Sequence, residues 1–394
     1  MKTDSKTLME VCDIFTGNSA PQGDKYFHDG KFPFIRVKHI SDTFNGYVKK
    51  FDLVNQKAVD EKKLKLYPKG SVVFAKSGMS IHLNVKARLP KDCYVVSHLA
   101  ILIPKKEFID PDYLYYWAKS FKFSNLSHET TLPSIKISDI KNVKILLPPL
   151  LVQRRIVSTL ERIEKLKEKR QKANEETNKT IQAIFYEMFG DPHTNQKKWT
   201  ITTIDKILEF SQYGTSKKSN TEKKGYPLLG MGNITYEGHL DLSKYGFVDL
   251  TKEEFKKLKI DKFDIIFNRT NSTELVGKTT YWNSDMDIVL ASYLIRLKLK
   301  SSINSIFFSY LLNTNYYKRL FVAKCKKAIG QSNISASLLR TFPIYMPPIS
   351  IQKKFASIVE NFEIIRRKQT YSAEDMNQLF DALMQKAFNG ELIN

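Results

Sequence analysis

Cysteine is scarce in this chain. Cys12, Cys93 and Cys325 are the only three in 394 residues. They lie far apart and are odd in number, so a zinc site is excluded by spacing and a disulfide framework is implausible. Long apolar runs are missing as well. None approaches the roughly 18 residues that suggest a membrane span, and the opening MKTDSKTLME has no signal-peptide core. We therefore expect a soluble, cytoplasmic chain without a membrane partner. Acidic residues are few beside basic ones: 41 Asp and Glu face 63 Lys and Arg, a formal net charge of +22. The excess is not a tail. Residues 1–200 carry 35 basic and 22 acidic side chains, and residues 201–394 carry 28 and 19. Residues 301–350 hold six basic side chains and no acidic one. Basic charge spread over folded halves favours a polyanionic partner, nucleic acid first.

Catalytic signatures are also missing. The histidines (28, 39, 82, 98, 128, 193 and 239) have no ligand spacing, and no Asp…Glu-x-Lys cluster of a nuclease stands out. Gly277-Lys278-Thr279 has the ending of a phosphate-binding loop, but that loop needs a glycine where Ser272 stands, so a turn in a hairpin is the better reading. Gly23 and Gly30-Lys31 are misspaced, and Phe32 replaces the hydroxyl that would hold magnesium. The two Pro-Pro pairs lack the preceding Asn or Asp of an amino-methyltransferase tetrapeptide, since Leu147 and Met346 stand there. No nucleophile–base pair emerges. The expectation is binding, with no catalytic residue, no cofactor and no metal.

What the chain does have is a duplication. LPPLLVQRRIVSTLE (147–161) recurs as MPPISIQKKFASIVE (346–360), 199 positions on. Upstream, residues 32–41 match 226–235, 70–78 match 263–271, 95–102 match 290–297 and 137–149 match 334–348. The order is kept and the offset drifts slowly, as after small loop insertions. A domain-sized period implies tandem domains rather than a solenoid. Each copy begins with about 145 residues that mix helical spacing with β-rich runs. The runs are SVVFA (71–75), CYVVS (93–97), LAILI (99–103), DIIFN (264–268) and DIVLASYLIRL (287–297). Residues 110–121 and 303–321 have helical apolar spacing. The reading is a compact α/β or α+β domain in each copy.

Each copy then ends in a helix. After Pro148-Pro149 a run free of Pro and Gly reaches Met188 and stops at Gly190-Asp191-Pro192; after Pro347-Pro348 a like run reaches Phe388 and stops at Asn389-Gly390. Proline suits a helix start and glycine its end. The expected organisation is therefore 1–147, a first domain; 148–189, a long helix; 190–346, a second domain; and 347–390, a second long helix. Spacings of three and four give a seam of Ile156, Leu160, Ile163, Ile181, Ile184 and Met188 on one helix. On the other they give Phe355, Ile358, Phe362, Ile365, Met376, Leu379 and Leu383. Both helices are polar in their centres. Neither would be stable alone in water, so we expect them to pair antiparallel, as copies related by a rough twofold would.

DNA recognition needs cations for phosphates and polar side chains for base edges. Four loops supply both. One offers Lys76, Ser77, His82, Asn84, Lys86 and Arg88, and its repeat counterpart offers Asn268, Arg269, Asn271, Ser272 and Lys278. Another offers Lys324, Lys326, Lys327, Gln331, Ser332 and Asn333, and its counterpart offers His128, Thr130, Thr131, Ser134 and Lys136. Lys217 and Lys218 add charge to the second copy. Alike frameworks with unlike loops would read two different sequences.

With these features the chain resembles the specificity subunits of type I restriction-modification systems. The resemblance rests on the half-chain repeat, the Pro-Pro-x-x-x-Gln starts of both helices and Met188-Phe189-Gly190-Asp191-Pro192. It rests also on Gly330-Gln331-Ser332-Asn333-Ile334-Ser335 and on Ala387-Phe388-Asn389-Gly390-Glu391-Leu392. The first copy departs from it, with Leu132-Pro133-Ser134-Ile135 where the family often has Gly and Asn. The resemblance implies two target recognition domains, each reading half of a split asymmetric DNA site, and an antiparallel coiled coil acting as a ruler. It further implies two modification subunits that carry the methyltransferase chemistry, and admits restriction subunits as well. Two other classes stay open on the residues alone: a single-chain DNA methyltransferase or nuclease, and a coiled-coil assembly adaptor whose charge is incidental.

Overall fold

The computed structural model of the chain describes residues 4–127, 132–328, 331–389 and 391; for residues 4, 327, 328, 370 and 371 only the backbone is described. The chain forms two compact units, one of residues 1–171 with 370–394, the other of residues 172–369.

In the first unit a strand pair, Asp4–Thr7 with Lys144–Leu147, leads into a six-stranded sheet. Its order is Cys12–Thr16, Leu99–Pro104, Val72–Ala75, Lys86–Arg88, Tyr47–Val48 and Thr43–Phe44. A four-stranded sheet runs Asp52–Val54, Phe32–Ile35, Cys93–Val95 and Leu66–Tyr67. Val72–Ala75 is at most 5% exposed along its whole length. A strand covered on both faces must be apolar at successive positions, which is why SVVFA lacks alternation. The second unit repeats the plan. Thr200–Thr203 pairs with Pro343–Met346, and a four-stranded sheet runs Leu208–Tyr213, Leu294–Leu299, Ile265–Asn268 and Thr279–Tyr281. In each unit one parallel strand pair joins equivalent segments, Phe34-Ile35 with Tyr94-Val95 and Leu228-Leu229 with Val289-Leu290.

Pro111–Ser120 is the helix expected at 110–121. The helical spacing at 303–321 is divided between two helices, Ser305–Leu312 and Asn315–Lys324. Asn313 and Thr314 break the run: the Asn313 amide donates to the carbonyls of Ser309 and Thr279, and the Thr314 hydroxyl to that of Leu311. Short polar side chains take carbonyls that a continuing helix would need.

The long helices are Leu150–Phe189 and Ile349–Phe388, 40 residues each. Their starts explain the repeated Pro-Pro-x-x-x-Gln. Gln153 is fully buried; its amide donates to Pro148 O at 2.8 Å and Phe108 O at 3.0 Å, and its oxygen accepts from the Asp110 amide at 2.8 Å. Gln352 is equally buried, donates to Pro347 O at 2.8 Å and accepts from the Asn304 amide at 2.9 Å. Asp110 and Asn304 are themselves the caps of Pro111–Ser120 and Ser305–Leu312. One glutamine thus ties the long helix to the cap of a domain helix and satisfies buried backbone groups that would otherwise cost about 1–3 kcal/mol each.

Within each unit, one half of each long helix packs antiparallel against one half of the other. In the first unit the Lys167 ammonium lies over the Phe380 ring and Arg170 donates to the Ser372 hydroxyl at 3.0 Å. In the second, Phe185 and Phe189 each meet Phe355 edge-on with ring centroids 5.4 Å apart. Ile156, Leu160, Ile163, Ile181 and Phe355 are buried, and Ile184, Met188, Phe362 and Leu383 pack against the cores. Ile358 and Met376 are half-buried. Ile365 and Leu379 are corrections to the expected seam, at 47% and 51% exposed. The inward positions beside them belong to Arg366 and Phe380. Arg366 bonds Asn178 of the other helix and Nδ1 of His239. Phe380, 8% exposed, stacks edge-on against Tyr116 of the domain. These helices serve the domains as well as each other, so their buried stripe is wider and differently phased than a two-helix seam.

Candidate nucleic-acid interface

The strand Ile265–Asn268 is fully buried, and the chain leaves it at Arg269. The next two residues, Thr270-Asn271, pair antiparallel with Ser332 and Asn333, and Gln331–Asn333 pairs in turn with Lys326–Ala328. Two loops about 60 residues apart thereby become one small sheet. Arg269 fastens it: its guanidinium lies over the Tyr213 ring, donates to Asn333 Oδ1 at 3.1 Å and reaches Ser292 O at 3.4 Å. Asn333 passes the link on by donating to the Thr270 hydroxyl at 2.7 Å. Lys324, Lys326 and Gln331 stand exposed on this assembly, as do Lys217 and Lys218 elsewhere on the same unit. Lys217 is shared with Glu254 at 2.7 Å.

The first unit uses the same register. Ser77 bridges Ser134 antiparallel, the Gly78 amide donates to Pro133 O at 2.8 Å and the Ile135 amide to Lys76 O at 2.8 Å. The matching bond in the second unit runs from the Ile334 amide to Arg269 O at 2.9 Å. So Lys76 stands where Arg269 stands, Ser134 where Asn333 stands and Leu132 where Gln331 stands. Ser77 also shares a proton with His98 Nδ1 at 2.7 Å. His82, Ser134 and Lys136 are exposed, and Lys76, Ser77, Arg269, Asn271, Ser272 and Asn333 are half-buried. His128, Thr130 and Thr131 lie outside the described residues, as does the Lys327 side chain.

Several expected contacts are corrected, because their side chains are spent inside the protein. The Lys86 ammonium, 6% exposed, donates to Phe121 O at 2.7 Å beneath the Phe123 ring, and burial pushes its pKa down to about 7. Arg88 is held between the Tyr47 and Tyr115 rings, paired with Asp112 and donating to Asn45 O. Both belong to a buried strand. Lys278 donates to Met231 O at 3.0 Å and Ile234 O, and burial lowers its pKa. It joins the turn before Thr279–Tyr281 to a neighbouring loop, so the Gly-Lys-Thr sequence is a hairpin feature. Asn268 is fully buried and donates to Met231 O at 3.2 Å. Ser332 is 1% exposed and shares a hydrogen with Thr273 at 2.9 Å. Asn84 is not among these corrections: it ends a short turn through its backbone, in the left-handed region at φ 52°. Choosing candidates by polarity passed over Met79, Leu83 and Leu132, which the structure exposes in the same loops. Apolar letters carry no sign of exposure.

Comparison with known proteins decides the family. The model of the type I restriction modification DNA specificity domain matches twice, at residues 2–176 and 196–372. The chain belongs to this family. Among its specificity-subunit relatives, that of type I restriction enzyme EcoKI from Escherichia coli is 24% identical over 94% of this chain and 84% of its own length. That of StySPI from Salmonella potsdam gives the same three figures. The putative MjaX subunit from Methanocaldococcus jannaschii is 28% identical, but the match spans 48% of this chain and 45% of that protein, less than half of each. Two solved structures share the fold. One, from work on assembly and conformational transition of the type I R-M system, covers 99% of this chain and 98% of its own at 20% identity and TM-score 0.60. The other, the S subunit from M. genitalium, covers 98% and 96% at 16% identity and TM-score 0.56. Among the described residues, no helix of this specificity-domain protein is long and apolar enough to cross a membrane.

Proposed function

We propose that this chain is the DNA-specificity subunit of a type I restriction-modification complex, in which each of its two units reads one half of a split, asymmetric double-stranded DNA site. The observation that carries this reading is the repeated pairing of two loops on one buried strand end, residues 76–78 with 133–135 and residues 269–271 with 332–334, built alike and faced differently. Exposed Lys136, Lys324 and Lys326 answer phosphates, and half-buried Ser, Asn and Arg side chains supply groups for base edges. In this reading the long helices set the gap between half-sites and dock two modification subunits, which carry adenine methyl transfer.

The test is the complex with its modification subunits on a randomised duplex library. Replacing loop 268–278 should change one half of the selected sequence and leave the other intact. A change in both halves would overturn the modular reading, and methyl transfer by the isolated chain would overturn the non-catalytic role.

A further inference from the structure

Among the described residues, the three most exposed large apolar side chains are Leu132 at 73%, Leu83 at 71% and Met79 at 69%. All three lie in the recognition loops of the first unit. Single exposed apolar residues are ordinary on a protein surface, but several gathered at a binding region are not.

The gathering is built into the backbone. The pairing of Ser77 with Ser134 and of Gly78 with Pro133 leaves Met79 and Leu132 as the next residues on the two paired segments. Met79–Leu83 is a short 3-10 turn that starts after Gly78 at φ 79° and ends at Asn84 at φ 52°. Ile81 in its middle is 2% exposed and anchors it. Pinned at both ends and in the centre, the turn presents Met79, His82 and Leu83 outward at little further cost in ordering. The second unit places Ser272 and Gln331 at the positions of Met79 and Leu132, side chains that can hydrogen-bond. Lys76, Lys122 and Lys136 flank the apolar turn, and Lys122 and Lys136 are exposed. Exposed apolar side chains with lysines in the adjoining segments suit a polyanion with an apolar group on its readable edge. In the major groove of DNA that group is the thymine methyl.

We propose that the first unit reads its half-site through contact of Met79 and Leu83 with thymine methyl groups, so that this half contains at least one A·T pair identified by its 5-methyl group. This rests on the function proposed above and adds the chemistry by which one half is read. The experiment uses the assembled complex. The half-site of the first unit is the half that survives exchange of loop 268–278. Each thymine in it is replaced in turn by deoxyuridine, which removes the methyl and keeps every hydrogen-bonding group. At one or more positions the affinity of the natural chain should fall about 4-fold per methyl. The M79A/L83A double variant, altered only at exposed positions, should bind thymine and deoxyuridine duplexes equally. Equal affinity of the natural chain for both at every position, or a half-site with no A·T pair, would overturn the inference. These results leave the proposed function standing, whereas a complex with no sequence preference overturns both.

Discussion

Lys86 is an ammonium held away from water, and its titration becomes a statement about stability. In the folded chain burial brings its pKa to about 7, while in the unfolded chain it stays near 10.4. Below pH 7 both states carry the proton and the cost of burying the charge is fully present. Between pH 7 and about 10 the unfolded chain binds more protons, so stability rises with pH, by up to about 1 kcal/mol per unit. Urea unfolding at pH 7 and pH 9 should show that rise, and Lys86→Met should flatten it. The same slope in both proteins would show that Lys86 is not its source. Lys86 and Arg88 read as surface groups in the sequence because both are basic in a loop-like context. What buries them comes from elsewhere: Phe121 lies 35 residues away and Asp112 lies 24 away. Polarity marks a candidate, and long-range packing decides whether water can reach it.

At the scale of elements, the two long helices were the most legible part of the chain. Proline, glycine and apolar spacing are local signals, and they placed both helices to within a residue or two. Their seam was harder to phase. Each half-helix packs on a domain as well as on its partner, and Ile365 and Leu379 turn outward where Arg366 and Phe380 turn in. The polar centres are bonded rather than bare. Arg366 donates to His239 Nδ1 at 2.9 Å, so that nitrogen accepts and the imidazole is neutral; burial first, then Arg366, push its pKa down to about 3. If these helices set the gap between half-sites, inserting seven residues in both at their polar centres adds about 10 Å. The spacing of the selected site should then grow by about three base pairs at 3.4 Å each. An unchanged gap would remove the ruler.

On the scale of the whole molecule, the collinear repeat was legible because duplication leaves its mark on every element, down to the glutamine that both copies bury. Which loops meet was not legible. The repeat matched each loop to its counterpart in the other copy, whereas the register that sets Thr270 against Asn333 depends on a fold that single residues do not reveal. The two units differ in how the chain supplies them. One is continuous, residues 172–369, whereas the other joins residues 1–171 to residues 370–394. Phe380, Met384 and Ala387, all buried against the first unit, come from that last stretch. Residues 1–171 are therefore synthesised before the later stretch that completes their core. In chains arrested at increasing lengths on the ribosome, protease resistance should arise across 172–369 before it reaches 1–171. Resistance of the leading portion before residue 370 has been added would contradict this delay.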